Sequence, residues 1–175
     1  MTEEVVPTVY GAHGKYGIGK FAVVAIVLAA LAAGLAYVTI APIRAPLRAA
    51  STFLADNAAK PGVETTASGL QVEILEAGDG PHPTPADRVV VQYEGSLPGG
   101  DVFDSSYVRG QPAMFTVGDL IPGWQEGLQL MRPGGKARFV IPSDLAYGAE
   151  GAGGIIPPNS ALVFEVELLG ILPRG

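Results

Sequence analysis

Between Lys20 and Arg44 lie 23 consecutive residues, FAVVAIVLAALAAGLAYVTIAPI, without one charge. Buried helices of water-soluble folds are usually shorter and apolar on one side only. At about 1.5 Å per residue, a helix of this length covers the ~30 Å hydrocarbon core of a bilayer. Gly34 and Thr39 are tolerated inside such a helix, and Tyr37 suits an interface near its end. The apolar core of a secretion signal runs about 7–15 residues behind a basic start. This run is longer and follows a 20-residue tail. It therefore reads as an uncleaved anchor: tail 1–20, then a single transmembrane helix at 21–43. Lys15 and Lys20 flank one side, Arg44 and Arg48 the other, so the positive-inside rule sets no orientation.

The charge is unevenly spread. Residues 1–60 carry five basic and three acidic groups, and residues 61–175 carry six basic and fourteen acidic. An acidic body of this kind argues against a nucleic-acid partner, which needs clustered Lys and Arg. Cysteine is absent and histidine occurs only as His13 and His82. Thiolate nucleophiles, redox pairs and sulfur- or multi-histidine metal sites are therefore excluded. The 24 glycines and 15 prolines favour short strands joined by turns over a helical bundle.

Residues 44–66 read as a tether, with helix expected around 47–59 and a stop at Pro61-Gly62. The folded domain is expected over residues 67–173. Leu70, Val72 and Ile74 alternate with Gln71, Glu73 and Leu75, a half-buried strand. Asp87–Leu97 is the strongest strand, and Pro98-Gly99-Gly100-Asp101 is a turn. Short strands are expected at Val102–Ser105 and Ala113–Val117, around a polar loop. Pro122 suits the first turn of a helix, and Trp124, Gly127, Leu128 and Met131 then share one face. Ala137–Ile141 and Ala161–Leu169 are further strands, with a glycine-rich loop between them. Many strands and one short helix imply an α+β domain, an antiparallel sheet folded over that helix.

Conventional catalytic groups are scarce. His82 sits between prolines and no GxSxG elbow is present. The Gly14–Lys20 stretch lacks the spacing of a phosphate loop, and nothing singles out an acid–base carboxylate pair. What the domain has is aromatic side chains on separate elements: Tyr93, Phe103, Phe115, Trp124, Tyr147 and Phe164. Strand aromatics ordinarily pack a core. These exceed what so small a core needs, and Leu120-Ile121-Pro122-Gly123-Trp124 sets an indole at a helix start, where it can floor a cleft.

The same residues carry a family likeness. In order they are Val89–Gly95 (VVVQYEG), Phe103-Asp104-Ser105-Ser106, Gly118–Leu128 (GDLIPGWQEGL), Ile141-Pro142 with Leu145-Ala146-Tyr147-Gly148, and Gly154–Leu169 (GIIPPNSALVFEVELL). This series resembles the FKBP-type peptidyl-prolyl cis–trans isomerases, most closely the membrane-anchored bacterial envelope type, over about residues 68–172. The resemblance implies a curved antiparallel β-sheet wrapped around one short α-helix. It also implies a proline pocket walled by Tyr93, Phe103, Phe115, Trp124 and Phe164, with Trp124 as floor and Leu120 and Ile121 alongside. The Ile121 backbone N–H would bind a substrate carbonyl and Tyr147 would offer its hydroxyl. Asp104 would stand at the rim, supported by Arg109, and Ile155 and Ile156 would overhang it. Tyr93, Phe103, Asp104 and Tyr147 are the implied catalytic set. Ala113 and Ala152 depart from the family, standing where other members often carry bulkier side chains at the rim.

The implied function is isomerisation of X–Pro bonds, without metal or other cofactor. The implied partners are proline-containing unfolded or nascent polypeptides, and macrolides of the tacrolimus and rapamycin type. An alternative reading is a membrane-tethered chaperone or peptide-binding module whose isomerase activity is incidental. An isomerase held at a membrane is most useful where chains emerge from translocation. The expected location is therefore a single-pass membrane protein with its domain on the periplasmic face.

Overall fold

The computed structural model describes residues 50–172. The expected tail 1–20 and membrane span 21–43 lie outside them. Among the described residues, no helix is long and apolar enough to cross a membrane.

The described chain opens with a helix over residues 50–58, here α1. Seven strands follow: β1 (Val63–Thr65), β2 (Gln71–Glu76), β3 (Arg88–Ser96), β4 (Val102–Ser105), β5 (Ala113–Thr116), β6 (Lys136–Ile141) and β7 (Leu162–Leu172). A short helix α2 (Ser106–Arg109) separates β4 from β5, and α3 (Pro122–Leu130) lies between β5 and β6. The strands form one antiparallel sheet in the order β1-β2-β6-β7-β3-β4, with β5 also pairing with β3. The expected α+β class is present, as one antiparallel sheet with the short helix α3 against it.

Strand β3 is the spine of this sheet. Its alternation is strict: Val89, Val91, Tyr93 and Gly95 are buried, whereas Arg88 and Glu94 are exposed. Two-residue periodicity of this kind commits one face to the core. On β7, Leu162, Phe164, Val166 and Leu168 face the same core, and on β6 so do Ala137, Phe139 and Ile141.

Helix α3 lies against that inner face. Pro122 occupies its first turn and Trp124, Gly127 and Leu128 are buried. Its two inward glycines allow the close approach. A Cβ at Gly127 would stand 2.7 Å from the Phe139 ring, and one at Gly123 would stand 2.4 Å from Ile141 Cγ2. Glycine costs a helix interior roughly 1 kcal/mol in propensity; here it allows the helix to seat directly on β6.

The first strand departs from expectation. Leu70 and Val72 are buried as predicted, but Ile74 is half exposed, and Gln71, expected to face water, is buried. For Gln71 the reason is α1. Asn57 Nδ2 donates to Gln71 Oε1 at 2.8 Å, and Gln71 Nε2 donates to the Leu54 carbonyl at 2.8 Å. A helix thus covers the outer side of β2 at Gln71. On the other face, Ile74 follows Val72 but lines an open groove with Leu130, the last residue of α3, and the pairing of β2 with β6 becomes irregular between Ile74 and Glu76. The sheet also begins before residue 67, because Val63–Thr65 pairs with Gln71–Glu73.

Candidate active site

Five rings from four strands and α3 meet on the inner face of the sheet. Trp124, at the start of α3, packs nearly perpendicular to Tyr93 (5.3 Å between centroids), Phe164 (5.2 Å), Phe115 (6.0 Å) and Phe139 (6.5 Å). Phe103 on β4 sets its edge against Phe164 at 5.5 Å. Edge-to-face geometry suits the ring quadrupole, and each pair adds about 0.5–1.5 kcal/mol beyond the area it buries. The rings hold one another in place around an open hollow.

That hollow measures about 250 Å³ and is lined by Tyr93, Phe103, Asp104, Phe115, Leu120, Ile121, Trp124, Tyr147, Ile156 and Phe164. Gly95 keeps it open on β3. A Cβ there would stand 2.6 Å from the Phe164 ring and 2.7 Å from the Phe103 ring, so no larger residue fits behind the two wall rings.

One polar cluster sits at the rim. The Tyr93 hydroxyl donates to Asp104 Oδ2 at 2.5 Å, and Arg109 Nη2 donates to the same hydroxyl at 2.9 Å. Arg109 Nη1 pairs directly with Asp104 Oδ1, and the guanidinium carbon lies 5.4 Å from the centre of the Tyr93 ring. Burial raises the Tyr93 hydroxyl above its ordinary pKa, and its bond to the Asp104 carboxylate pushes it the same way. Burial also works against ionised Asp104. The hydrogen bonds from Tyr93 and Arg109 and the charge of Arg109 outweigh it, holding the carboxyl below its usual value. At neutral pH the cluster is therefore a phenol, a carboxylate and a guanidinium.

Most of the residues expected at the site converge there. Arg109 does not line the hollow but braces two residues that do. Ile155 points away: it is 63% exposed, whereas Ile156 is 8% exposed and lines the wall. Gly153 and Gly154, both with positive φ, turn the chain between Ala152 and Ile156. Ile155 sits on that turn and only Ile156 returns to the cavity. His82 is held by a bond between Nδ1 and the Met131 carbonyl at 2.9 Å, away from the hollow. The Ile121 carbonyl accepts from Trp124 and Gln125 N–H, closing the first turn of α3. Among the described residues, its own N–H donates to no backbone carbonyl, nor does any hydrogen bond engage the Tyr147 hydroxyl. Ser106, behind Tyr93, ends the Phe103–Ser106 block of the likeness, but the sequence assigns it no role at the site. Among the described residues, no cluster of His, Asp or Glu could hold a metal ion.

An antiparallel sheet packed on one short helix, with an aromatic hollow beside them, defines a class. Residues 80–169 match the family described as FKBP-type peptidyl-prolyl cis-trans isomerase, and the chain belongs to that family. Residues 41–74 match the domain described as amino-terminal to such isomerases. Among its relatives is the probable FKBP-type peptidyl-prolyl cis-trans isomerase FkpA of Neisseria meningitidis, 56% identical over 119 residues, or 68% of this chain and 44% of that protein. The FKBP-type 22 kDa isomerase of Escherichia coli is 55% identical over 120 residues, or 69% of this chain and 58% of that one. The chain thus spans about half the length of these relatives. The crystal structure of a Pseudomonas syringae peptidyl-prolyl cis-trans isomerase superposes with a TM-score of 0.70 at 48% identity, covering 74% of this chain and 96% of that one. FkpA from Escherichia coli gives 0.74 at 40% identity, covering 92% and 76%.

Proposed function

We propose that this protein catalyses cis–trans rotation about X–Pro peptide bonds in unfolded or nascent polypeptides. The observation that carries the reading is the hollow itself: a preformed apolar recess of about 250 Å³ walled by rings, with one polar cluster on its rim. Such a recess takes a five-membered prolyl ring and leaves the flanking peptide at the edge.

The chemistry follows from the bond. The two isomers of an X–Pro amide differ by only ~0.5–1 kcal/mol. The barrier of ~18–20 kcal/mol is the resonance that rotation must break. Resonance separates charge, so water favours the planar amide. Moving the prolyl ring among Tyr93, Phe103, Phe115, Trp124 and Phe164 removes that water, and the twisted amide, with its less polar carbonyl, gains relative to the planar one. Only such a difference lowers the barrier; equal binding of both forms would not. Each ~1.36 kcal/mol of difference is tenfold in rate. The Ile121 N–H and the Tyr147 hydroxyl hold the flanking carbonyls. Asp104, kept ionised and fixed by Tyr93 and Arg109, orients the amide. Macrolides that mimic a prolyl segment would compete for the same recess, with the small Ala113 and Ala152 reducing rim contact.

Exchange of a short X–Phe–Pro peptide, followed by NMR with the purified full chain, tests this. The exchange rate is expected to exceed the uncatalysed rate and to fall at least tenfold in Phe103→Ala and in Asp104→Ala. A wild-type rate equal to the uncatalysed one overturns the activity. An active protein indifferent to both substitutions overturns the site.

Residues 21–43 are proposed to anchor the protein as a single membrane span, on the strength of 23 uncharged residues between Lys20 and Arg44. The domain is proposed to stand on the periplasmic face, where translocated chains fold. Protease added to spheroplasts should cleave it; complete protection overturns the orientation.

A further inference from the structure

We propose that Ser106 is a positioning residue of the isomerase site, replacing with its side chain the strand neighbour that Tyr93 lacks. This rests on the activity proposed above. Along the edge of β3 facing β4 and β5, Arg88–Val91 pairs with β5 and Glu94–Ser96 pairs with β4. Gln92 and Tyr93 fall between the two. The chain leaves the sheet there as α2, so no backbone from either strand reaches them.

In an antiparallel strand, the N–H and C=O of one residue point to the same side. Both Tyr93 groups therefore face the gap, where the Ser106 oxygen stands opposite them and accepts from the N–H. Tyr93 N–H donates to Ser106 Oγ at 2.8 Å, and the Tyr93 carbonyl lies 3.2 Å from the same oxygen. The Ser106 hydroxyl also reaches Gln92 Oε1. Ser106 is 0% exposed, so no water can substitute. Its hydroxyl is not needed to start the helix, because Ser105 is the N-cap and accepts from Val108 N–H.

The consequence concerns catalysis because of what Tyr93 carries. Its ring contacts Trp124, Phe115 and Phe164, and its hydroxyl holds Asp104. Arg109, three residues after Ser106 on the same helix, grips that hydroxyl. One turn of helix thus fixes Tyr93 at both ends, the backbone through Ser106 and the phenol through Arg109. Alanine at 106 would leave a buried N–H without an acceptor, and β3 would shift to find one. A displacement of about 1 Å at a catalytic wall can cost up to 100-fold in rate.

The test uses the purified full chain and two readouts. In Ser106→Ala, kcat for X–Phe–Pro exchange is expected to fall between tenfold and 100-fold with KM little changed. The emission of Trp124, the one tryptophan in the chain, should move to longer wavelength as the Tyr93 ring leaves it. In a Tyr93→Ala background, Ser106→Ala should cause no further loss of rate. Equal losses in both backgrounds, or a folded Ser106→Ala protein with wild-type kcat and emission, overturn the proposal. If Ser106→Ala does not fold, Ser106→Cys keeps the size of the side chain and replaces the hydroxyl by a thiol, a weak partner for the Tyr93 N–H. A smaller loss of kcat with an emission shift in the same direction is then expected, and wild-type values for both overturn the proposal. A wild-type protein without activity sinks the isomerase reading, while the emission of Ser106→Ala still decides whether the serine holds Tyr93.

Discussion

The aromatic hollow has a near twin in size at the other edge of the sheet. Gly62, Glu64, Thr66, Val72, Ile74 and Leu130 line a groove of about 270 Å³, against about 250 Å³ for the hollow. The two differ in what their walls are made of. In the first, rings from β3, β4, β5, β7 and α3 lock one another edge to face, and a hydrogen-bonded trio fixes the rim. In the second, Ile74 is 50% exposed and Leu130 45%. Neither is braced by a ring, and the groove is simply where the last turn of α3 passes β2. Ordering long aliphatic side chains around a ligand costs rotamer entropy, whereas rings already locked have little left to lose. Stiff walls and placed polar atoms, more than volume, distinguish a site from a gap.

The largest test of that contrast removes the floor. Trp124 is 4% exposed and touches four other rings. Trp124→Ala should lower stability by about 3–5 kcal/mol, as large-to-small core changes do, and should abolish measurable isomerisation. Thermal or urea unfolding checks the first and peptide exchange the second. A loss under about 1 kcal/mol would mean that the walls stand without the floor.

A single methyl group gives the next effect. Gly95→Ala places its Cβ within 2.8 Å of both Phe164 and Phe103. Overpacking of this kind costs about 1–3 kcal/mol. The rings have to move toward the hollow, so kcat/KM should fall about tenfold or more. Full activity with reduced stability would show that the two rings tolerate displacement.

The charged rim predicts a smaller, pH-dependent effect. In the fold the Asp104 carboxyl is held below its ordinary value. Its contribution to stability is complete above the unfolded carboxylate pKa of about 3.9 and is lost as pH falls through the lower folded value. Neither rate nor stability should change on its account between about pH 5 and 8. Arg109→Met removes the cation and two hydrogen bonds and leaves burial, which pushes Asp104 upward. The acid loss of kcat/KM should then begin at higher pH than in wild type. Superimposable pH–rate profiles would remove Arg109 from the site.

These contrasts show what could be read in advance. The alternation of Val89, Val91 and Tyr93, the proline that opens α3, and the apolar face of Trp124, Gly127 and Leu128 are local patterns, and each had its meaning in sequence. Gln71 did not, because its burial depends on whether α1 lies over it, and α1 comes from residues that read as a tether; nor did Ile74, whose exposure depends on where α3 ends beside β2. The role of Ser106, though the residue ends a block of the likeness, was hidden for a related reason. A gap in a strand's pairing exists only once β4 and β5 are both in place. Ile155 and Ile156 are chemically alike, and only the turn through Gly153 and Gly154 decides which one faces the cavity. The membrane span at 21–43 rests on composition alone.

The smallest expected effect falls in the groove. Leu130→Gln keeps a residue of similar helix propensity and removes an apolar side chain that is already 45% exposed. Exposed positions away from caps and buried networks usually change stability by less than about 0.5 kcal/mol, about 2–3 °C in midpoint for a body of this size. Exchange of the X–Phe–Pro peptide should be unchanged, because Leu130 lies at the far end of α3 from Trp124 and contributes no wall to the hollow. If this substitution slowed exchange as much as Phe103→Ala, the groove would be part of the substrate path, and rigidity would no longer separate the two hollows.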